Sequence, residues 1–211
     1  MEIILAAVDE PLARAWEQFC GDIDGVTIFR GSILDVACDA VVSPANSFGF
    51  MDGGIDALYL DYFGLDIQMR VRRLIYERHH GELVVGAADI VETSDERIPY
   101  LIVAPTMRVP MVLHESVSAY LAARATLLLV LHGLFPVGGR QGQRVADHIT
   151  TIAFPGLGTG VGRIGANTCA RQVRAAIDDV VRGQYTMPQS WAEASERHQL
   201  LYTDRPRRLQ H

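Results

Sequence analysis

The sequence predicts an α/β layered fold with a buried, largely parallel sheet, and three observations carry that reading. Apolar segments of strand length alternate with longer segments of helical period, the strand segments are nearly continuously apolar, and two of them run directly into polar, glycine-containing loops. Glu2–Val8 reads as a buried strand, Glu10–Cys20 as a helix and Val26–Phe29 as a second strand. Asp39–Ser43 reads as the third strand. Ile55–Phe63 and Leu65–His80 follow as helices broken at Gly64, with Arg70, Arg72, Arg73 and Arg78 forming a solvated face interleaved with Asp66 and Glu77. Ala88–Glu92 and Tyr100–Ala104 are the fourth and fifth strands, and His114–His132 is the longest helical segment. Pro136–Arg144, with Gly138, Gly139 and Gly142, reads as a flexible connection to the sixth strand, Ile149–Phe154, and Asn167–Arg182 as the last helix. From Gln184 onward the periodicity fades into a tail ending in Arg205-Pro206-Arg207-Arg208, in which Trp191 and Leu200–Tyr202 are expected to pack on the body. The expected organisation is one domain over residues 1–183 and an appended tail over 184–211.

Composition narrows the chemistry. A chain of 211 residues with 49% hydrophobic and 21% charged residues can bury a real core and is not a disordered segment. A net charge of −6 gives no general pull toward phosphate backbones, so broad nucleic-acid binding is not expected. All 19 basic residues are arginine, which excludes a Walker lysine, a Schiff-base lysine and a lysine nucleophile. Cys20, Cys38 and Cys169 are odd in number and widely spaced in apolar surroundings, as buried reduced thiols are. His79, His80, His114, His132 and His148 show no ligand spacing that gathers a carboxylate or thiol, so no metal and no cofactor are expected. The apolar start, Met1–Val8, is too short for a signal h-region, and Leu127–Leu131 is far below spanning length, which leads to the expectation of a cytoplasmic protein with no membrane partner.

The two loops carry the functional signal. Ser43-Pro44-Ala45-Asn46-Ser47-Phe48-Gly49-Phe50-Met51-Asp52-Gly53-Gly54-Ile55-Asp56 follows the third strand, where Gly53-Gly54 would let backbone N–H groups approach an anion or sugar at a helix start. Read alone, it could also be a plain turn capped by Asp52. Phe154-Pro155-Gly156-Leu157-Gly158-Thr159-Gly160-Val161-Gly162-Arg163 follows the last strand, and its glycines would expose successive N–H groups as a nest for phosphate oxygens, with Thr159 adding a hydroxyl. No Gly-Lys-Ser/Thr follows, so it is not a P-loop, and its place after the last strand argues against a dinucleotide fingerprint. Together the loops would frame a cleft for a pyrophosphate flanked by sugars.

These segments resemble the macrodomain family. Gly31-Ser32-Ile33-Leu34, then Asp39-Ala40-Val41-Val42-Ser43-Pro44-Ala45-Asn46, is similar to the family's Gly-Asp-Ile-Thr…Asp-Ala-Ile-Val-Asn-Ala-Ala-Asn; Gly53-Gly54-Ile55-Asp56 resembles Gly-Gly-Val-Asp, and Gly156–Gly162 resembles its diphosphate loop. The Ser-Pro-Ala-Asn-Ser-Phe-Gly-Phe-Met-Asp-Gly-Gly form, with Ala104–Arg108, looks most like the bacterial and phage branch called tail-assembly-like. The resemblance implies a three-layer α/β/α fold with a mixed, largely parallel six-stranded sheet, and a cleft for ADP-ribose or an ADP-ribosylated macromolecule. It implies that Asn46 contacts the distal ribose, that Gly53, Gly54 and Ile55 line its pocket, and that Gly156, Leu157, Gly158, Thr159, Gly160, Val161 and Gly162 cradle the diphosphate. Ser32 and Ile33 fall on the adenine side, with Ser32 where the family carries an acid. Asp56 falls on the carboxylate associated with positioning water in hydrolytic members, which makes Asp56 and Asn46 the implied catalytic pair. Ser43 stands in place of the first Asn, and Gly162 in place of an aromatic, so Phe48 or Phe50 would have to stack on the sugar. Arg108 is placed to reach the cleft mouth. Three functions are compatible with this reading: a hydrolase of ADP-ribosyl esters or related derivatives, a non-catalytic ADP-ribose reader, and a phage-derived assembly factor that keeps the fold.

Overall fold

The computed structural model describes residues 1–207. Six strands form one sheet: β1 (Glu2–Ala7), β2 (Val26–Arg30), β3 (Ala40–Ser43), β4 (Asp89–Glu92), β5 (Tyr100–Val103) and β6 (Thr151–Phe154). Six helices accompany them: α1 (Glu10–Cys20), α2 (Gly54–Phe63), α3 (Leu65–Arg78), α4 (Ser118–His132), α5 (Ala166–Val180) and α6 (Trp191–Leu200). The strand order is β2-β1-β6-β3-β5-β4. Every pairing is parallel except β4 with β5, so the sheet is mixed and largely parallel, as expected.

Side chains of each strand alternate between two cores. Ile3, Leu5 and Ala7 of β1, Ala40 and Val42 of β3, and Ile152 and Phe154 of β6 pack with residues of α1, α4 and α5. Ile4, Ala6, Val41, Leu101, Val103 and Ala153 face the other way and pack with Ile67, Val71, Leu74 and Ile75 of α3 and Tyr59 of α2. This is the three-layer α/β/α architecture, and burial of both sheet faces explains why the strands read as continuous apolar runs. α1 shows how local signals cooperate with packing. Asp9 accepts a hydrogen bond from Leu12 N at 2.9 Å as N-cap, Pro11 sits in the first turn, and fully buried Trp16 donates to Ala6 O of β1 at 3.4 Å.

Some expectations need correction. Leu134–Arg144 is a small hydrogen-bonded loop rather than a loose connection, with Phe135 N donating to Gln143 O at 2.9 Å and Gly142 N to Phe135 O at 2.9 Å. The arginine face of α3 is partly engaged: Arg70 donates to Glu92 O and Ser94 Oγ, and Arg78 pairs with buried Asp89 at 2.9 Å. Residues 114–117 precede α4 instead of belonging to it. The tail holds α6, whose far end is tied to the body by Arg171, which donates to Leu200 O and pairs with Asp204 at 2.6 Å. Trp191 does not pack on the body; it is 69% exposed. Arg208, part of the expected basic end, lies outside the described residues. Cys20, Cys38 and Cys169 are free and buried. No helix among the described residues is long and apolar enough to cross a membrane.

Candidate functional site

The carboxyl ends of five strands open into one cleft of about 320 Å³. Strand order lays its walls out in sequence across the sheet. At one end lie Gly31 and Ile33 after β2, then Val8, Asp9 and Leu12 after β1. Pro155, Gly156 and Gly158–Gly162 after β6 form the middle. At the other end are Pro44–Asn46, Phe50 and Asp52–Asp56 after β3, and Thr106 and Met107 after β5. Ligands of open parallel sheets bind in this position.

The first loop delivers an uncapped helix start. Gly53 is the N-cap of α2 and has no side-chain capping bond, and Gly54 takes φ +59° in the left-handed region. Asp52 therefore lines the cleft without capping the helix. Among the described residues nothing accepts from the N–H groups of Gly53, Gly54, Ile55 and Asp56, and a Cβ on Gly53 or Gly54 would meet nothing within 4 Å. These are the donors a helix N-terminus offers to an anion.

The second loop offers another set. Arg163 N and Ile164 N bond back to Gly160 O and Gly158 O at 3.0 Å each, folding the loop on itself. The N–H groups of Gly158, Thr159, Gly160, Val161 and Gly162 have no acceptor among the described residues. The glycines differ in purpose. Gly158 is required by its backbone, at φ +70°, and Gly162 by packing, since a Cβ there would lie 2.6 Å from Gly158 O. Gly160 faces open space, with nothing within 4 Å of its Cβ direction. Thr159 Oγ1 is engaged with Gly156 O at 3.3 Å, so its hydroxyl is a brace of the loop.

Among the described residues no arginine or histidine lines the cleft, whereas Asp9, Asp52 and Asp56 do. The positive potential that these residues offer a bound anion therefore comes from backbone N–H groups. Asp56 is only 7% exposed, and Ser43 Oγ donates to its Oδ1 at 2.6 Å from a fully buried position. Burial pushes the Asp56 carboxyl up to about 6, with the Ser43 hydroxyl pulling the other way. Asn46 is largely occupied by its own loop: Oδ1 accepts from Phe48 N at 3.1 Å and Phe50 N at 3.3 Å, and Nδ2 donates to Phe50 O at 2.8 Å. One Nδ2 hydrogen remains for a ligand.

Of the sequence-predicted residues, the fold brings Ile33, Asn46, Gly53, Gly54, Ile55, Asp56, Gly156, Gly158, Thr159, Gly160, Val161 and Gly162 to the one cleft. Two lie outside its lining. The Leu157 side chain is fully buried in the core, and Ser32 turns its hydroxyl to cap Leu34 N at 3.3 Å, so neither lines the cleft. Arg108 also points elsewhere, pairing with Glu82 at 2.6 Å and stacking 5.2 Å from the Phe48 ring. Phe50, not Phe48, lines the cleft, backed by Arg72 at 4.3 Å from its ring centre. Sequence reasoning missed Asp9 and the Ser43 contact. Asp9 was legible as the cap of a helix after a strand, but its place at the cleft depends on β1 lying beside β6.

A second hollow, about 450 Å³, lies between α3, β4 and the 135–138 segment. It is lined by both signs of charge, Arg70 and Arg73 with Glu77 and Glu92, and Arg70 is already bonded. The described residues contain no cluster of side chains suited to a metal ion.

Comparison with known proteins agrees with this arrangement. The family model described as Macro domain matches residues 42–173, from the end of β3 through most of α5. An uncharacterized protein of Aquifex aeolicus is 30% identical over 146 residues, 69% of this chain and 76% of that protein. An uncharacterized protein of Aeropyrum pernix is 27% identical over 162 residues, 76% and 74% of the two chains. Among solved structures, the macrodomain of Mycobacterium tuberculosis DarG matches with a TM-score of 0.55 at 17% identity, covering 71% of this chain and 87% of that one. A mutant Oceanobacillus iheyensis macrodomain with ADPR matches at 0.57 and 16% identity, covering 82% and 86%. With a three-layer fold and a family model that spans more than half its length, the chain belongs to the Macro domain family.

Proposed function

We propose that this chain binds ADP-ribose, free or attached to a macromolecule, in the cleft across the carboxyl ends of its strands. The observation that carries the reading is the pair of unsatisfied N–H sets, Gly158–Gly162 and Gly53–Asp56, facing one cleft from two loops. A diphosphate is the ligand that uses both, because its oxygens can accept from the nest and from the helix start at once. On the family resemblance, the purine would lie toward β1 and β2 and the terminal ribose toward Asn46 and Asp56. The ligand bound by the Oceanobacillus iheyensis relative supports the same class. Residues 1–183 would form the binding unit, and 184–211 an appendage held through Arg171.

A hydrolytic reading is favoured by one further observation, the Asp56 carboxyl raised to about 6 beside the expected ribose position. A carboxyl of that value is ionised at neutral pH yet basic enough to accept a proton. In an ADP-ribosyl ester, water would attack the anomeric carbon as Asp56 takes its proton, the bond to the acyl oxygen breaking with release of a carboxylate. Ser43 would orient the base, and Asn46 would fix the loop that carries the sugar contacts.

Calorimetric titration tests the binding reading. ADP-ribose should bind more tightly than AMP or ribose 5-phosphate, since only the whole ligand spans both loops. Affinity for ADP-ribose no better than for AMP would overturn it. Release assays on ester-, guanidine- and nucleobase-linked substrates then decide between hydrolase and reader, because binding without turnover on any of them leaves a reader.

A further inference from the structure

We propose that Arg72 of α3 is a positioning residue for the cleft, holding the Phe50 ring from behind so that its other face is presented to a ligand. The ligand side of this inference rests on the ADP-ribose reading above; the clamp itself is a property of the free chain. Among residues 47–51 Phe50 alone is exposed, and it lines the cleft. The residues around it are fastened to α3. Gly49, at φ +70°, lies against that helix, where a Cβ would meet Val71 Cγ1 at 2.8 Å and Arg72 Cγ at 3.4 Å. Met51 N donates to Gln68 Oε1 at 2.8 Å.

Arg72 supplies the contacts that reach Phe50 itself. One guanidinium nitrogen donates to Phe48 O at 3.3 Å, and the guanidinium carbon lies 4.3 Å from the centre of the Phe50 ring. A cation so placed is drawn to the ring face. Asn46 gives the ring no such hold, because it bonds only the backbone of Phe50. A half-exposed aromatic side chain without cover samples several rotamers, and a ligand has to freeze it on binding. With Arg72 in place that ordering is already made. The guanidinium therefore assists binding without lining the cleft, and one exposed arginine of α3 acquires a task that its charge alone does not give it.

Calorimetric titration with ADP-ribose in a double-mutant cycle tests this. Arg72→Met keeps an unbranched stem beside Gly49 but no charge, and should weaken binding by about fourfold, the scale of an exposed cation–ring contact. In a Phe50→Leu background the same change should weaken binding by less than about 1.5-fold, because the ring it acts through is gone. Arg72→Lys should return affinity to within about twofold of wild type, since an ammonium also attracts the ring. Arg72 is exposed, so each of its variants should keep a Tm within about 2 °C of wild type. In the ligand-free chain, amide exchange at Phe48 and Phe50 should quicken by about fivefold in Arg72→Met. An equal loss of affinity in both backgrounds makes Arg72 a distant charge and overturns its role. So does no loss at all, an Arg72→Lys protein that binds like Arg72→Met, or unchanged exchange. Each of these results leaves the ADP-ribose reading standing. Wild type that does not bind ADP-ribose overturns that reading, and exchange in the free chain then still decides the clamp.

Discussion

Replacing Asp56 by Asn should stabilise the protein at alkaline pH. The carboxyl is pushed up to about 6 in the fold from an ordinary value of 3.8, because it is withdrawn from water with the Ser43 hydroxyl to support its charge. A group whose proton is held more tightly in the native state favours folding at low pH and loses that contribution as pH rises through the native value. For Asp56 the loss occurs between about pH 4 and 6, and at pH 8 the ionised form opposes folding by about 3 kcal/mol at most, from roughly two pKa units at 1.36 kcal/mol each. Asn keeps an oxygen to accept from Ser43 Oγ and carries no charge, but its amide N–H groups need partners, so a net gain of about 2 kcal/mol is expected. For a chain of this size that is a rise in Tm of about 4–8 °C at pH 8. At pH 4, where wild-type Asp56 is protonated in the fold, the difference should shrink below about 1 kcal/mol. Urea or thermal unfolding of both proteins at the two pH values measures it, and other titrating groups cancel in the comparison. An Asp56→Asn protein that is no more stable than wild type at pH 8, or whose gain is the same at pH 4, would refute the assignment of a strained buried carboxylate. The same variant should still bind ADP-ribose within about tenfold while losing at least about a hundredfold in turnover if Asp56 assists water.

Further outcomes follow from the contacts described. Gly160→Glu should fold with a Tm close to wild type, because nothing obstructs its Cβ, yet abolish ADP-ribose binding by placing a carboxylate where the proposed reading puts the diphosphate; unchanged affinity in titration would move the nest elsewhere. Gly162→Ala should instead destabilise the fold by about 1–3 kcal/mol in urea unfolding, since its Cβ would lie 2.6 Å from Gly158 O. Ser43→Ala removes the hydroxyl that lowers the Asp56 value, so the rising limb of a pH–turnover profile should move above its wild-type midpoint near 6; a profile that stays put would deny the coupling. Asn46→Ala breaks three hydrogen bonds inside the 46–50 loop and should weaken both binding and turnover, with altered fluorescence or exchange in that loop as a second readout.

Much of this architecture was legible because burial on both faces leaves a strong imprint: the inner strands β1, β3, β5 and β6 are largely apolar and buried, and all six strands, the more polar edges β2 and β4 included, read correctly to within a residue or two. The loops were legible because glycines cluster in them, and at Gly54 and Gly158 the left-handed backbone requires one. What the chain does not state locally is adjacency. Nothing in residues 2–7 says that β1 sits between β2 and β6, and that single fact carries Asp9 into the cleft while Ser32, one strand further out, is left capping a turn. The glycine loop also hides different purposes under one letter, since Gly158 answers to a left-handed backbone, Gly162 to packing and Gly160 to open space. α6 was missed for a different reason. Its helical period is weak, but Ser190 caps Glu193 N at 3.1 Å while the Glu193 carboxylate accepts from Gln189 N, and the Ser-x-x-Glu spacing was the signal available.

The position of β6 has a consequence for how binding competence arises. β2 and β1 form one piece of sheet and β3, β5 and β4 another, and in the strand order only β6, from the last third of the sequence, joins them. Until that strand inserts, the two walls of the cleft belong to separate fragments, and the loop expected to hold the diphosphate does not yet exist between them. Contacts this distant along the chain close late in folding. A nascent or C-terminally shortened chain can therefore hold most of its helices and still present no half-formed cleft to a ligand. Once closed, the ligand would bridge both fragments through the strand that unites them, so saturating ADP-ribose should slow hydrogen exchange in β1 and β3 alike, as stabilisation of the whole sheet by mass action requires.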